Sequence, residues 1–347
     1  MSKKNKISYK TSGVDINKGD ALVNFIKPLA KKTSRKEVAE GIGGFSAITA
    51  IPAKYKNPMI VSATDGVGTK IEIAELMNDH STIGEDLVAM CVNDLITCGA
   101  EPIFFLDYIV TERINLSKSK EILKGIAKGC LKSNCSLIGG ETAEHPNAFP
   151  KNKYDLAGFC VGIVEKEDIK KSNQPKNGDI LISLKSSGLH SNGFSLIRAL
   201  LKRKKLKLSD KIGNTTFGKL ILKPTKIYVK EILELKNNIN IKAIAHITGG
   251  GLIGNLERII PKKMKIKLLK NTLFYFHKKL FLKVKEASNL SDKEMLETFN
   301  CGNGMVLVVS ENDLNKTKRY LKKLKLSHKI IGSFSTIKKS ERKVILS

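Results

Sequence analysis

Several acids in this chain sit where acids are hard to place, beside glycines at the ends of apolar runs. In VSATDGVGTK (61–70) the run Met59, Ile60, Val61 stops at Asp65, Gly66 and Gly68, and Thr69 and Lys70 follow. Glycine admits positive φ and lets backbone amides approach an anion closely, and Lys70 adds a mobile positive charge. A carboxylate in such a nest repels phosphate unless a divalent cation stands between them. The plainer reading is a strand-to-helix turn with Asp65 as a cap. CSLIGGETAEHP (135–146) repeats the design, with Glu141 and Thr142 at the exit from Gly139-Gly140. Asp107 in FFLDYIV lies within an apolar run, so it should be paired, protonated or bound to metal. Asp65, Asp94, Asp107 and Glu141 thus lie near strand or helix ends. Two or three of them converging on Mg²⁺ and nucleotide phosphates would suit a nucleotide enzyme; isolated caps and ion pairs are the alternative.

Two further turns offer neutral donors. SSGLHSNG (186–193) places Ser187, His190, Ser191 and Asn192 before a helix, with His190 a candidate acid/base or anion contact. GGGLIG (249–254) fits a dinucleotide fingerprint, but no acid follows Glu257 until Glu286, so the ribose contact of such a site is missing. A phosphate turn remains, with His246, Thr248 and Asn255 beside Gly249 and Gly250. GxxxxGK[ST] is absent.

The elements that must hold these residues alternate. Strands are expected near 58–63, 103–110, 135–138 and 155–164, with a helix over 81–99 that ends at Gly99 and carries Asp86, Asn93 and Asp94 on one face. Beyond a Lys-, Asn-, Pro- and Gly-rich linker in KEDIKKSNQPKNGDI, strands are expected near 179–184, 243–247 and 304–309. Helices are expected near 193–203, 225–236, 252–260 and 312–324. This reads as a mixed α/β (α+β) chain of two layered domains, 1–170 and 171–347, with mixed sheets flanked by helices.

Composition excludes other classes. The net charge is +28, yet residues 1–150 are almost neutral, with 19 Lys and Arg against 17 Asp and Glu; the rest carries 42 against 16. Of 61 basic residues 54 are lysines, they alternate with Leu and Ile, and the chain has no Trp. Specific readers use Arg, and single-strand binders interleave aromatics, so no specific nucleic-acid partner is expected. No apolar run approaches the ~20 residues of a membrane span, and MSKKNKISYK has no apolar stretch behind it. A cytoplasmic protein without membrane contact is expected. Six cysteines without a CxxC pair read as buried reduced thiols.

Taken together, TDGVGTK, MCVNDL, GAEPIFFLDY, GGETAE, AGFCVGIVEK, SSGLHSNGFSLIR, HITGGGLIGNL and TFNCGNGM resemble, in order, the aminoimidazole ribonucleotide synthetase family, the phosphoribosylformylglycinamidine cyclo-ligases. The resemblance implies a homodimeric ligase of purine biosynthesis that uses ATP and Mg²⁺ to close formylglycinamidine ribonucleotide into aminoimidazole ribonucleotide. It implies Asp65, Asp94 and Glu141 as metal- and ATP-side acids. Lys27, Gly41, Gly43 and Gly44 would form the N-terminal part of the nucleotide site, joined by Gly66, Gly68, Thr69, Lys70 and Asn93. His190, Asn192, His246 and Thr248 would face the ribonucleotide, with Ser187, Ser191, Gly249 and Gly250 beside them.

Overall fold

A computed structural model describes residues 8–9, 11–171, 174–337 and 343–347. The expected division near residue 171 abuts residues 172–173, which lie outside the described residues, as does most of the opening MSKKNKISYK.

The N-terminal half is built on a four-stranded mixed sheet in the order Pro58–Gly66, Tyr154–Glu165, Glu101–Thr111, Ser136–Glu144. Only the last pair is parallel. Two strands outrun their apolar cores. The first continues through Asp65 to Gly66, which pairs with Ala157. The last continues to Glu144, opposite Thr111. Glu141 and Thr142 are therefore strand residues and not a turn exit. The glycine beside them explains how the strand passes Asp107: a Cβ at Gly140 would stand 2.4 Å from the Asp107 Oδ1.

Helix Ile83–Leu95 lies at the centre of the molecule, with every residue but Asp94 buried. Its inner side packs on the sheet, where the Cys91 Sγ lies 3.4 Å from the Gly158 carbonyl. It crosses helix Leu116–Ser133 at two glycines, since a Cβ on Gly84 would come within 2.0 Å of the Ile122 carbonyl. Full burial of each aliphatic such as Leu87 or Val88 contributes roughly 1.5–3 kcal/mol. A 3₁₀ turn, Ile96–Cys98, follows, and Gly99 closes it with φ +78, the C-cap expected there.

The C-terminal half holds a six-stranded sheet in the order Ala243–His246, Asn303–Val309, Ile180–Lys185, His328–Thr336, Met264–Leu268, Val344–Leu346. All neighbours are antiparallel except the final pair. Helices Phe194–Lys202, Val229–Lys236 and Glu311–Lys323 fall where their periodicity places them. The lysine-rich segment 262–292, for which no element was expected, forms the strand Met264–Leu268 and the helix Lys278–Ser288. The fold is thus mixed α/β, two domains each with a mixed sheet and flanking helices. No helix among the described residues is long and apolar enough to cross a membrane. All six cysteines are free, and five are buried.

Candidate active site

The acids on the central helix divide into two environments. Asp86 is 0% exposed and pairs with Lys70, also 0% exposed, at 2.8 Å. Its other oxygen accepts hydrogen bonds from the Thr225 amide (2.7 Å), the Thr225 hydroxyl (2.6 Å) and the Ser191 hydroxyl (2.9 Å). Lys70 in turn donates to the carbonyls of His190 (3.0 Å) and Lys223 (2.7 Å). Burial pulls the Lys70 ammonium below its ordinary pKa, and Asp86 pulls it back. Lys70 is therefore no mobile charge on a phosphate turn: it follows Thr69 directly into helix Lys70–Met77 and is locked between the two domains.

Asn93 has the same fate. Its side-chain amide donates to the Lys226 carbonyl (2.8 Å), and its oxygen accepts the Tyr228 amide (3.0 Å). Ser187 donates to the Pro224 carbonyl at 2.6 Å. The Thr69 and Ser195 hydroxyls lie 3.3 Å apart across the domains. His190 is 1% exposed at φ +60, and its Nε2 accepts the Ser187 amide at 3.1 Å. Burial holds it neutral, well below the usual histidine range, with the nearby His246 and Lys70 adding to the effect. Lys70, Asn93, Ser191 and the His190 carbonyl bond across the two domains, while the Ser187 and His190 side chains bond within the second one. Their polar types signal a buried contact as much as a site, and sequence does not separate the two. Thr225, the fastener opposite them, was missed for the same reason.

Asp94, directly after Asn93 on the helix, is 45% exposed at its side chain, and the His246 Nδ1 lies 2.7 Å from its Oδ1. His246 Nε2 faces the Asn93 amide nitrogen at 3.5 Å. A neutral ring in this setting carries its proton on Nδ1 and donates it to Asp94. Asp65 takes the Gly66 amide on its Oδ1 at 2.8 Å. Burial raises the Asp65 pKa, the Gly66 bond opposes this, and the neighbouring Asp94 raises it further. Asp65, Asp94 and His246 are thus one electrostatic group. A cavity of about 290 Å³ opens on Asp94, His246, Asn255 and Arg258. Arg258 was missed, as a lone arginine one turn after Asn255 carries little signal.

The glycine turn comes to the same region. Asn255 clasps it, donating to the carbonyls of Thr248 (3.2 Å), Gly249 (3.1 Å) and Gly251 (2.8 Å). The Thr248 hydroxyl lies 3.3 Å from the Asn255 oxygen. Gly249 and Gly250 are exposed, and Gly250 has φ +87. A Cβ on Gly249 would stand 3.7 Å from the Asn192 Oδ1, so the two expected substrate loops meet. The Asn192 Nδ2 is buried without a hydrogen-bond partner.

Glu141 is not in this group. It stands on the opposite edge strand from Asp65, three strands away, or roughly 14 Å by ordinary strand spacing. Among the described residues no three acids, histidines or cysteines gather as a metal site. Lys27 and Gly41 line a cavity next to the one that Glu141 lines, the two meeting at Ile42. The Lys27 Nζ would lie 3.9 Å from a Cβ on Gly43. Gly44 follows in the same loop, and Gly68 turns the chain at φ +65 with open space around it.

Comparison with known proteins decides the family. Residues 47–164 match the N-terminal domain of AIR synthase related proteins, and residues 176–344 match their C-terminal domain. Both halves of the chain belong to that family. Among solved structures, thiamine-monophosphate kinase from Stenotrophomonas maltophilia K279a superposes with TM-score 0.67 at 17% identity, over 94% of this chain and 95% of that one. The hydrogenase maturation protein HypE in complex with ATP superposes with TM-score 0.67 at 14% identity, over 94% and 90%. E. coli HypE gives 0.66 at 17%, over 94% and 93%. At such identities these likenesses speak for the fold.

Proposed function

We propose that this chain is an ATP-dependent phosphoribosylformylglycinamidine cyclo-ligase, closing formylglycinamidine ribonucleotide to aminoimidazole ribonucleotide with release of ADP and phosphate. The observation that carries the reading is the meeting of four motifs: MCVNDL brings Asp94 to His246 of HITGGG, TDGVGTK adds Asp65, and SSGLHSNG brings Asn192 to Gly249. The family of both domains supports it.

An amide oxygen is a poor leaving group. Transfer of the terminal phosphoryl group of ATP to that oxygen gives an iminophosphate; the neighbouring nitrogen attacks the carbon, and the C–O bond breaks with phosphate departing. The protein's part is positioning and charge neutralisation. In this chain Asp94 fixes the His246 tautomer, the bare amides at Gly249 and Gly250 are open to an anion, and the Asn192 amide supplies a donor. Asp65 and Asp94 keep oxygens free for Mg²⁺, which typically takes one or two carboxylates and completes its shell with phosphates and water. When bound, the ion would offset phosphate charge; Glu141 does not belong to that pair. The lysine-rich surface has no part in the chemistry.

A second copy of the chain is proposed against the outer face of the N-terminal sheet. Ile60 (68% exposed), Phe159 (42%) and Tyr108 (36%) leave that face apolar and uncovered, with Asp65 and Glu141 on its two edge strands. Sedimentation should give a species near twice 38.3 kDa.

A kinase of the same fold is the second reading, since thiamine-monophosphate kinase superposes as well as any relative named above. ADP release measured with formylglycinamidine ribonucleotide and with thiamine monophosphate separates the two. Stimulation by the ribonucleotide alone is expected; stimulation by thiamine monophosphate alone contradicts the ligase.

A further inference from the structure

A cavity of about 840 Å³ lies on the C-terminal half and shares no residue with the one that opens on Asp94. Lys185, at the end of strand Ile180–Lys185, lines one part of it. Lys318, Arg319 and Lys322 come from helix Glu311–Lys323, and Lys325 from the turn after that helix. Two histidines join them, and among the described residues no aspartate or glutamate lines the cavity.

The five cations are unpaired: among the described residues none meets an acid within ion-pair distance. Other lysines of this half are matched, Lys236 with Asp168, Lys242 with Asp179, Lys283 with Asp210 and Lys285 with Asp292. A helix dipole favours cations in the last turn, which accounts for Lys322. Lys318 and Arg319 precede that turn and Lys185 belongs to the sheet, so the dipole does not explain their gathering. Like charges crowded into one hollow repel one another, and a bound anion relieves that repulsion.

The lining narrows the kind of anion. Lys and Arg side chains donate hydrogen bonds and accept none. An acidic peptide brings backbone N–H groups that would find few acceptors here, whereas linked phosphates carry acceptors alone. A single phosphate is too small to reach cations on both the strand and the helix at once. We propose that this cavity is a binding site for a linear oligophosphate, held between Lys185 and the cations of helix Glu311–Lys323. The site is separate from the proposed chemistry at Asp94. Free oligophosphate and the phosphate tail of a nucleotide share this chemistry. Tyr275, 55% exposed on the lining, is where a nucleotide's base would rest.

The test is calorimetric binding to the full chain in EDTA, which withholds the cation that the Asp94 site is proposed to need. Inorganic triphosphate should bind once per chain and at least about tenfold more tightly than inorganic phosphate. The triple variant Lys318→Ala, Arg319→Ala, Lys322→Ala should weaken triphosphate at least about tenfold, because each charged hydrogen bond is worth that much or more. A control variant of equal charge outside the cavity, Lys202→Ala, Arg203→Ala, Lys205→Ala, should stay within about threefold of the unaltered chain. All six positions are exposed, so both variants should keep the melting temperature. ATP binding as tightly as triphosphate assigns the site to the phosphate chain alone; tighter ATP, lost in Tyr275→Ala, assigns it to a nucleotide. Equal weakening in the two triple variants would mean diffuse surface charge and overturns the inference. So does triphosphate that binds no tighter than phosphate, hexaglutamate that binds as tightly as triphosphate, or no binding at all. The comparison of anions needs only the unaltered chain, so a variant that fails to fold does not shield the inference.

Discussion

Asp86 and Asp94 sit eight residues apart along one helix, and each is held by a basic partner within 3 Å. Asp86 is sealed: Lys70, Thr225 and Ser191 surround it, and the second domain roofs it. Asp94 keeps its side chain nearly half open to a cavity, with His246 on one side and Asp65 near it. The two acids have the same chemistry and nearly the same facing. The second domain encloses Asp86 completely but meets Asp94 through the His246 ring alone, which leaves one acid sealed and the other open to a cavity.

The largest effect should come from opening the sealed end. Lys70→Met leaves Asp86 charged, buried and without its cation, and should cost about 3–5 kcal/mol of stability in denaturant titration. The double variant Lys70→Met with Asp86→Leu should recover part of that loss, because replacing both partners removes the orphaned charge. A single variant as stable as the unaltered protein would show that the pair does not hold the domains.

At the open end the effect should appear in turnover and not in folding. Asp94→Asn keeps the size, removes a charge and weakens the hold on His246. It should lower kcat by the equivalent of roughly 2–4 kcal/mol while stability stays within about 0.5 kcal/mol, as for substitutions at partly exposed positions. Unchanged turnover and Mg²⁺ dependence would remove Asp94 from the site. A large stability loss would make it a second fastener.

The same contrast marks where the sequence was readable. Periodicity and punctuation placed the central helix, its Gly99 end, the strands of the N-terminal sheet and three of the six C-terminal strands, because burial on one face writes itself into spacing; His328–Thr336, Met264–Leu268 and Val344–Leu346 were not expected. Asp107 was legible as an anomaly, since an acid in FFLDYIV has no solvent to face; burial indeed pushes its pKa up to about 7. The motif resemblance grouped Asp94 and His246 in one site, and the fold brings the two side chains within 2.7 Å of each other. Lys70, Asn93, Ser191 and His190 carry buried contacts that spacing does not reveal, because a polar side chain buried between domains has the same composition signature as one facing a ligand. Glu141 was grouped with Asp65 because sequence does not reveal strand order; the sheet sets them on opposite edges.

A smaller effect should follow pH. Burial lowers the pKa of His190 at the sealed end, and of His80 and His277 elsewhere. The unfolded chain then binds protons that the folded chain refuses, so stability is full above the unfolded histidine value and falls as pH drops below about 6.5. Each group contributes a slope of up to about 1.4 kcal/mol per pH unit. His190→Asn, which tolerates positive φ, should shallow the acid slope of the melting temperature between pH 7 and 5. An unaltered slope would mean that His190 protonates freely in the folded state.

The smallest effect concerns the surface. The lysines beyond residue 150 should bind DNA only in the non-specific range of about 10⁻⁴–10⁻⁶ M near physiological salt, weakening steeply as salt rises. A nanomolar, sequence-selective complex would make the charge functional.

The central claim is that the open end of the helix serves phosphoryl activation of an amide oxygen. It is tested most directly with formylglycinamidine ribonucleotide carrying heavy oxygen in its formyl group. Mass spectrometry of the inorganic phosphate should find one label for each ring closed. Unlabelled phosphate, with the heavy oxygen recovered in water, would mean that ATP drives a conformational change and would contradict a role for Asp94, Asp65 and the glycine turn in phosphoryl transfer to the substrate.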